Sequence, residues 1–220
     1  MGQTFAPDFD QRWRLGCLAL GSLLFSLVLV LYGLAGSSWV NGHDLGPSQP
    51  VDFSHRHHAG ELGIDCRYCH GAVETSDQAG LPSTGVCMTC HSQLFTDAKM
   101  LEPVRRSWMH NQPMAWKRVN ELPDFVKFSH QVHVQNGVSC TECHGRVDRS
   151  AQLSPAHNFS MGWCLECHRD PAYRLRPRDQ VVSPDWNAPS HVERDEMAQY
   201  LMKEYRVELP RLTECATCHR

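Results

Sequence analysis

Apolar residues are distributed unevenly along this chain. The longest apolar stretch, Leu15–Gly36, contains no charged residue and would form a helix roughly 33 Å long, about the thickness of the hydrocarbon core of a bilayer. The pattern therefore predicts a transmembrane anchor over residues 15–38. A secretory signal peptide is the alternative, but its apolar region normally covers only about 7 to 15 residues.

Basic residues predict the orientation of this anchor. Arg12 and Arg14 precede the apolar stretch, whereas the next lysine or arginine after it is Arg56. Because positively charged flanks stay on the cytoplasmic side, we expect a single-pass protein of the cytoplasmic membrane. Residues 1–14 would lie in the cytoplasm, and residues 39–220 would form a domain on the periplasmic (outer) side.

Apolar positions after the anchor show little of the alternation that strands require. Ser190 and Glu193 form a capping-box pattern, which predicts an amphipathic helix that ends near Tyr205. Residues 97–108 are expected to form a short helix, and the prolines in 171–189 indicate an extended connection. We expect the inner face of the amphipathic helix to carry Val192, Ala198, Leu201, Met202 and Tyr205.

The composition points to cofactor chemistry. The 220 residues include 11 cysteines and 14 histidines, and the net charge of -3 gives no indication of nucleic-acid binding. Five C-x-x-C-H motifs use ten of the cysteines: Cys66-Cys69-His70, Cys87-Cys90-His91, Cys140-Cys143-His144, Cys164-Cys167-His168 and Cys215-Cys218-His219. At this histidine content, chance would place a histidine behind all five C-x-x-C pairs about once in a million such chains.

The C-x-x-C-H motif is typical of c-type haem attachment. Its thiols form thioethers with the haem, and its histidine binds the iron. Four-coordinate zinc would use two C-x-x-C pairs per site, and five pairs do not divide by two. A redox dithiol would be a single exposed pair beside a βαβ pattern. The sequence therefore predicts five covalently bound haem c groups, which are attached in an oxidising, extracytoplasmic compartment.

The haem motifs lie in an internal repeat. FSHRHHAGELGIDCRYCHGAVETS aligns with FSHQVHVQNGVSCTECHGRVDRS with one gap, and each copy continues to a second C-x-x-C-H. We expect dihaem repeats at 53–91 and 128–168, and a fifth haem in the segment 190–220. Only about 36 residues are available per haem, too few for separate hydrophobic cores. The predicted class is therefore a multihaem cytochrome c fold, mostly irregular with short α-helices, packed around five haems.

Each repeat also offers ligands for the second axial position of an iron. The pattern F-S-H-x-x-H selects four histidines, which are His55, His58, His130 and His133. Residues three apart on a helix share a face but diverge, so each pair can bind two different haems and clamp them together. We expect His43, His57 and His191 to be solvated bystanders.

Three residues are candidates for the distal ligand of the fifth iron. Met161 precedes Cys164 by three positions, and His110 and His157 are also available. A thioether ligand would raise the potential of its haem, although methionines are commonly core fillers.

The chain resembles a known family in three segments. WKRVNELPDFVKFSHQVHV, GVSCTECHGRV and MGWCLECHRDP, behind a single anchor, are similar to the pentahaem membrane-anchored cytochrome c subunit of alternative complex III. The resemblance spans nearly the whole chain, and MGWC contains Met161. Relatives commonly have a histidine before L-P-D-F, where this chain has Asn120. If that histidine binds an iron in them, another ligand must replace it here.

The resemblance implies an electron-transfer subunit of a membrane quinol-oxidising respiratory or photosynthetic complex. Its expected partners are a polytopic quinol-binding subunit, an iron-sulfur subunit, a monohaem cytochrome c subunit and membrane lipid. Electrons would pass from quinol through the haems to a periplasmic acceptor or oxidase, with the catalytic site in another subunit. The alternatives are a stand-alone quinol dehydrogenase that feeds a periplasmic reductase, and a catalytic multihaem reductase, which would need an iron with an open position.

Overall fold

A computed structural model of the chain describes residues 8–37, 40, 46–187 and 190–219. It divides into two compact units, residues 1–45 and 46–220. Within the described ranges the regular structure is helical, and β-pairing is limited to two isolated bridges, Val126 with His219 and Val138 with Leu175. The expectation of a mostly irregular fold with short helices is confirmed. His43, Pro189 and the first seven residues of the expected cytoplasmic segment lie outside the described ranges.

The first unit contains one long helix, Phe9–Ala35. It begins earlier than the predicted anchor, because Arg12 and Arg14 form ion pairs one turn back, with Asp8 and Asp10. The helix is long and apolar enough to cross a membrane, with a mean hydropathy of 2.3 over its most apolar window. Membrane anchors and signal sequences share this length and composition.

Short helices joined by irregular segments build the second unit. Its α-helices are Cys66–Cys69, Thr84–His91, Glu102–Met109, His130–Gln135, Cys140–His144, Met161–Arg169, His191–Glu204, Leu209–Leu212 and Cys215–Cys218. A π-helix covers Arg56–Glu61, and 3-10 turns cover Lys99–Leu101, Val147–Arg149, Ala172–Arg174 and Arg178–Gln180. The described part of this unit is therefore built from short helical segments and irregular connections.

The helix His191–Glu204 begins with the predicted capping box. The backbone N–H and the hydroxyl of Ser190 both donate to Glu193 Oε2, at 3.2 and 2.6 Å. Ala198 and Leu201 are buried, as expected, but Val192 is 71% exposed. The prediction was wrong for Val192 because contact with the rest of the unit begins at the next residues, where Arg194 and Asp195 bond to a 3-10 turn.

Few apolar side chains are buried in the second unit. Among the described residues they are Val51, Val73, Val104, Leu175, Val181, Ala198 and Leu201. This small core agrees with the expectation that protein side chains alone do not supply the hydrophobic interior of this domain.

Candidate haem-binding sites

All five C-x-x-C-H motifs form helical turns. Two cysteines three residues apart on a helix lie on the same face, so both thiols of a motif can reach one edge of a planar group. The N-caps of two of these helices are Asp65 and Ser139, whose side chains accept hydrogen bonds from the N–H groups of Arg67 and Thr141, at 2.8 and 3.3 Å.

Backbone carbonyls fix the protonation of three motif histidines. The Nδ1 atoms of His70, His91 and His168 lie 2.8, 3.2 and 2.9 Å from the carbonyl oxygens of Gly80, Leu94 and Leu212. A carbonyl oxygen can only accept, so Nδ1 must carry the hydrogen. Nε2 then has a free lone pair, which is the form in which a histidine binds a metal.

The same tautomer is imposed on three of the four F-S-H-x-x-H histidines. Nδ1 lies 2.9 Å from the Ser54 carbonyl in His58, 2.9 Å from the Asp77 carbonyl in His130, and 2.7 Å from the Ser129 carbonyl in His133. In His55, Nδ1 is buried and has no hydrogen-bond partner. Six histidines are thus held with Nε2 available for iron.

Histidines of the two kinds face each other in pairs. Two imidazoles on opposite sides of one metal, each bound at about 2 Å, have ring centroids about 6 Å apart. The centroids of His58 and His91 are 6.3 Å apart. The corresponding residues of the second repeat, His133 and His168, are 6.0 Å apart. This spacing leaves room for one iron atom between each pair.

A further pair links the first histidine of each F-S-H-x-x-H to the first motif of its repeat. The rings of His130 and His144 are 6.3 Å apart and nearly parallel, at 7°. The equivalent residues in the first repeat, His55 and His70, are close enough for their charges to interact. Each F-S-H-x-x-H therefore directs its two histidines to two different motifs.

Burial keeps these imidazoles neutral. It lowers the pKa of His55 to about 4, with the nearby charge of His70 adding to the effect. Burial likewise lowers the pKa of His144 to about 4, and here His130 is the next contributor. Neutral imidazole is the metal-binding form, so both side chains are ready to bind iron at neutral pH.

The two repeats pack against each other around an approximate two-fold axis. Arg56 N–H donates to the Ser150 carbonyl at 2.9 Å, and Gln131 N–H donates to the Ser76 carbonyl at 3.1 Å. Arg56 aligns with Gln131, and Ser76 aligns with Ser150, so these two bonds are symmetry mates. Each repeat thus holds the distal-ligand segment of the other.

The thiols nearest this axis are also equivalent in the repeat. The side chains of Cys66 and Cys140 lie close enough to interact, and this interaction lowers the pKa of Cys66 to about 7 and raises that of Cys140. Residues on a two-fold axis meet their own counterparts. The first and third C-x-x-C-H motifs therefore lie side by side at the centre of the domain.

The remaining motifs extend outwards from this centre. The pKa of Cys69 is raised by burial and then by Cys87 of the second motif, and the pKa of Cys143 is raised to about 12 by burial and then by Cys167 of the fourth. Cys164 of the fourth motif interacts in the same way with Cys218 of the fifth. The spatial order of the motifs along the domain is second, first, third, fourth, fifth.

The fifth motif is anchored differently. Its His219 stacks on Phe125, with centroids 5.9 Å apart at 26°, and the Cys218 carbonyl accepts a hydrogen bond from Lys127 N–H at 2.7 Å. Met161 is 65% exposed at the start of the helix Met161–Arg169. That helix packs against Leu209–Leu212, just before the fifth motif.

The other histidines have distinct surroundings. His57 Nδ1 lies 2.8 Å from a carboxylate oxygen of Glu61 on the exposed surface, as expected for a bystander. His157 stacks on Trp163 at 4.9 Å, and His110 is an exposed residue at the end of the helix Glu102–Met109.

Comparisons with known proteins identify the fold class. Residues 126–220 match the family described as cytochrome c7 and related cytochrome c, and residues 40–120 match the class III cytochrome C family. Together with the helical architecture, these matches show a multihaem cytochrome c fold with covalently bound c-type haem. The residues described above fit such a group, because each motif supplies two thiols on one helix face beside a histidine.

Two curated relatives are similar to this chain. One is the "Menaquinone reductase, multiheme cytochrome c subunit" of Nitratidesulfovibrio vulgaris, 28% identical over 172 residues, which are 78% of this chain and 67% of the relative. The other is "Cytochrome c-552" of Desulfotalea psychrophila, 27% identical over 130 residues, which are 51% of this chain and 26% of the relative. The chain thus spans about a quarter of the length of the second relative.

Proposed function

We propose that this chain, a multihaem cytochrome c that transfers electrons, carries five haems and connects a membrane quinone site to an acceptor on the outer side of the membrane. The observation that carries the proposal is the set of opposed histidine pairs, which could bind an iron from both sides. An iron held in this way would have no open position for a substrate, so it would exchange electrons rather than bind and convert a molecule.

The proposed ligands divide into three sets. The ten motif cysteines tether the haems, and the five motif histidines bind the irons on one side. On the other side, His55 would pair with His70, His58 with His91, His130 with His144, and His133 with His168. Met161 is the proposed distal ligand of the remaining iron, and the packing of its helix beside the fifth motif supports this choice. When bound, each haem supplies one-electron redox chemistry.

The arrangement of the motifs gives the proposed path. Haems attached in the order second, first, third, fourth and fifth would form a continuous series, with the second and fifth at its ends. The fold brings the cysteines of neighbouring motifs close enough to affect each other's pKa values, which supports neighbouring positions for their haems. Electron transfer falls off steeply with distance, so this packing serves conduction as well as folding.

We further propose that the chain is a membrane-anchored subunit of a quinol-oxidising assembly, alternative complex III. The sequence resemblance supports this, and so does the apolar helix Phe9–Ala35. Its partners would be the polytopic quinol-binding, iron-sulfur and monohaem cytochrome c subunits. The menaquinone reductase relative favours a second candidate function, in which the same series of haems carries electrons to a quinone and reduces it.

Purification from membranes in mild detergent tests both proposals. We expect the chain to co-purify with a polytopic and an iron-sulfur subunit, and the intact assembly to reduce all five haems on addition of quinol. The isolated haem-loaded chain should not oxidise quinol. Rapid quinol oxidation by the isolated chain would contradict the subunit role, and quinone reduction with no quinol oxidation by the assembly would select the second candidate.

A further inference from the structure

Asn120 contacts the motif histidine His144 through its side chain, and no other motif histidine among the described residues has such a contact with an amide. Its Nδ2 atom is 3.1 Å from Nδ1 of His144. Its other polar atom, Oδ1, is buried and has no hydrogen-bond partner. The side-chain amide thus presents a nitrogen to the histidine and leaves its acceptor unused.

If His144 binds iron, the side-chain amide of Asn120 must have the opposite orientation. With Nε2 on the metal, Nδ1 carries a hydrogen and can only donate. Two donors cannot bond to each other, whereas rotating the amide by half a turn brings Oδ1 to Nδ1–H and uses the buried acceptor. The oxygen and nitrogen of an amide have nearly the same shape, so they are assigned from such hydrogen bonds.

The symmetry of the repeats makes this contact informative. His70 is the counterpart of His144, and its Nδ1 donates to the backbone carbonyl of Gly80 at 2.8 Å. His91 and His168 also use backbone carbonyls. His144 alone among these four has a side-chain partner, which comes from the connector between the repeats and not from either repeat.

We propose that Asn120 is a positioning residue for the iron ligand His144. It fixes the tautomer and the ring orientation of His144, and it distinguishes the third haem from its symmetric counterpart, the first. A hydrogen bond to Nδ1–H raises the basicity of the ligand nitrogen, and hydrogen bonding around the ligand is one of the protein's means of setting a haem potential. The inference rests on the proposed function, because it requires a haem at His144.

Two substitutions with opposite effects test the proposal in the haem-loaded, full-length protein. Asn120→Asp keeps the shape and offers a charged acceptor, so the potential of the third haem should fall. Asn120→Leu removes the acceptor, so that potential should rise. Asn187→Asp, on an exposed residue, is the matched control for the added charge and should leave all potentials unchanged.

The measurement is a redox titration followed by EPR spectroscopy, which distinguishes haems by their ligand geometry. The nearly parallel rings of His130 and His144 predict a rhombic low-spin signal for the third haem, and the potential of one haem with a rhombic signal should shift. The shape of this signal should persist in Asn120→Asp and change in Asn120→Leu, where the His144 ring is no longer held.

Haem content separates failure of this inference from failure of the proposed function. Fewer than five haems in the unmodified protein would overturn the five-haem proposal. If Asn120→Asp binds five haems and the potential of the third haem is unchanged, the proposed role of Asn120 is overturned. The proposal of electron transfer through five haems would still stand. Equal shifts of several haems in both variants would indicate a general structural disturbance and would also overturn the role of Asn120.

Discussion

His58 illustrates how one residue can join two cofactors. It lies in the sequence just before the first motif, yet its ring faces His91 of the second motif at 6.3 Å. Phe53 stacks on the His58 ring at 4.4 Å, and Nδ1 of His58 donates to the Ser54 carbonyl. The ring is therefore fixed by its own segment and directed at a neighbouring motif.

Replacing this histidine should affect the second haem and not the first. In His58→Ala the iron at His91 loses its distal ligand, so one haem of the five should become high-spin, and it should be the haem attached at Cys87 and Cys90. Magnetic circular dichroism counts the high-spin haems, and loss of the high-spin signal when Cys87 and Cys90 are replaced as well, so that this haem is not attached, assigns it. His57→Ala is the matched control, since His57 contacts Glu61 at the surface, and it should keep all five haems low-spin.

A response of the haem at Cys66 alone would contradict this assignment. A high-spin haem in His57→Ala would equally contradict it, because it would show that His57 is a distal ligand.

Ring orientation predicts different EPR spectra for different haems. The angle between the two axial imidazole planes controls the splitting of the iron d orbitals. It is 7° for His130 with His144 but 65° for His58 with His91. We therefore expect at least two low-spin signals, one rhombic and one with a much larger anisotropy. A single signal type that integrates to every haem would contradict these geometries.

Much of this residue-level detail could be predicted from the sequence, but not all of it. F-S-H-x-x-H selected the histidines that the structure brings opposite motif histidines, because ligand type and spacing are local properties. Asn120 stood out only as a departure from relatives. Its contact with His144 depends on how the connector folds back over residues 24 positions away, which no local pattern encodes. The role of Met161 stays a prediction.

Two segments hold the repeats together at the scale of elements. The π-helix Arg56–Glu61 packs against the 3-10 turn Val147–Arg149, and the approach is close at Gly60, where a Cβ atom would lie 2.2 Å from the Asp148 carbonyl oxygen. In the second repeat the equivalent position is Gln135, whose Nε2 donates to the Glu74 carbonyl at 3.0 Å. The two sides of the interface thus use different side chains for the same approach.

Gly60→Ala should weaken this interface. The added methyl group would meet a backbone carbonyl that cannot rotate away, and overpacking of this kind costs about 1–3 kcal/mol. We expect a lower midpoint of thermal unfolding for the haem-loaded protein. Gly162→Ala is the control, because its Cβ would meet only Ser160 Oγ at 3.9 Å, and it should not lower the midpoint. Equal stability of the two variants would contradict the close packing at Gly60.

The element boundaries were predictable where local signals are strong. The capping box at Ser190 fixed the start of the helix His191–Glu204, and the short helix after the second motif was also expected. The π-helix Arg56–Glu61 was not, since it follows from packing against the other repeat and not from the propensity of its own residues.

At the scale of the whole molecule, the duplicated modules form a pseudo-symmetric pair. The repeat could be predicted from the sequence, because the two segments share identical residues at aligned positions. The sequence did not reveal the two-fold packing, because the bonds that define it join backbone groups of Arg56, Ser150, Gln131 and Ser76, which carry no side-chain signal. The order of the motifs follows from that packing and differs from their order in the chain.

An experimental structure of the haem-loaded, full-length protein tests the central claim most directly. The account predicts five irons in the spatial order second, first, third, fourth and fifth motif. The first and third would be neighbours across the pseudo-two-fold axis, and His58 and His91 would bind the same iron. Irons that follow the order of the motifs in the chain, or His58 bound to the iron of the first motif, would contradict it.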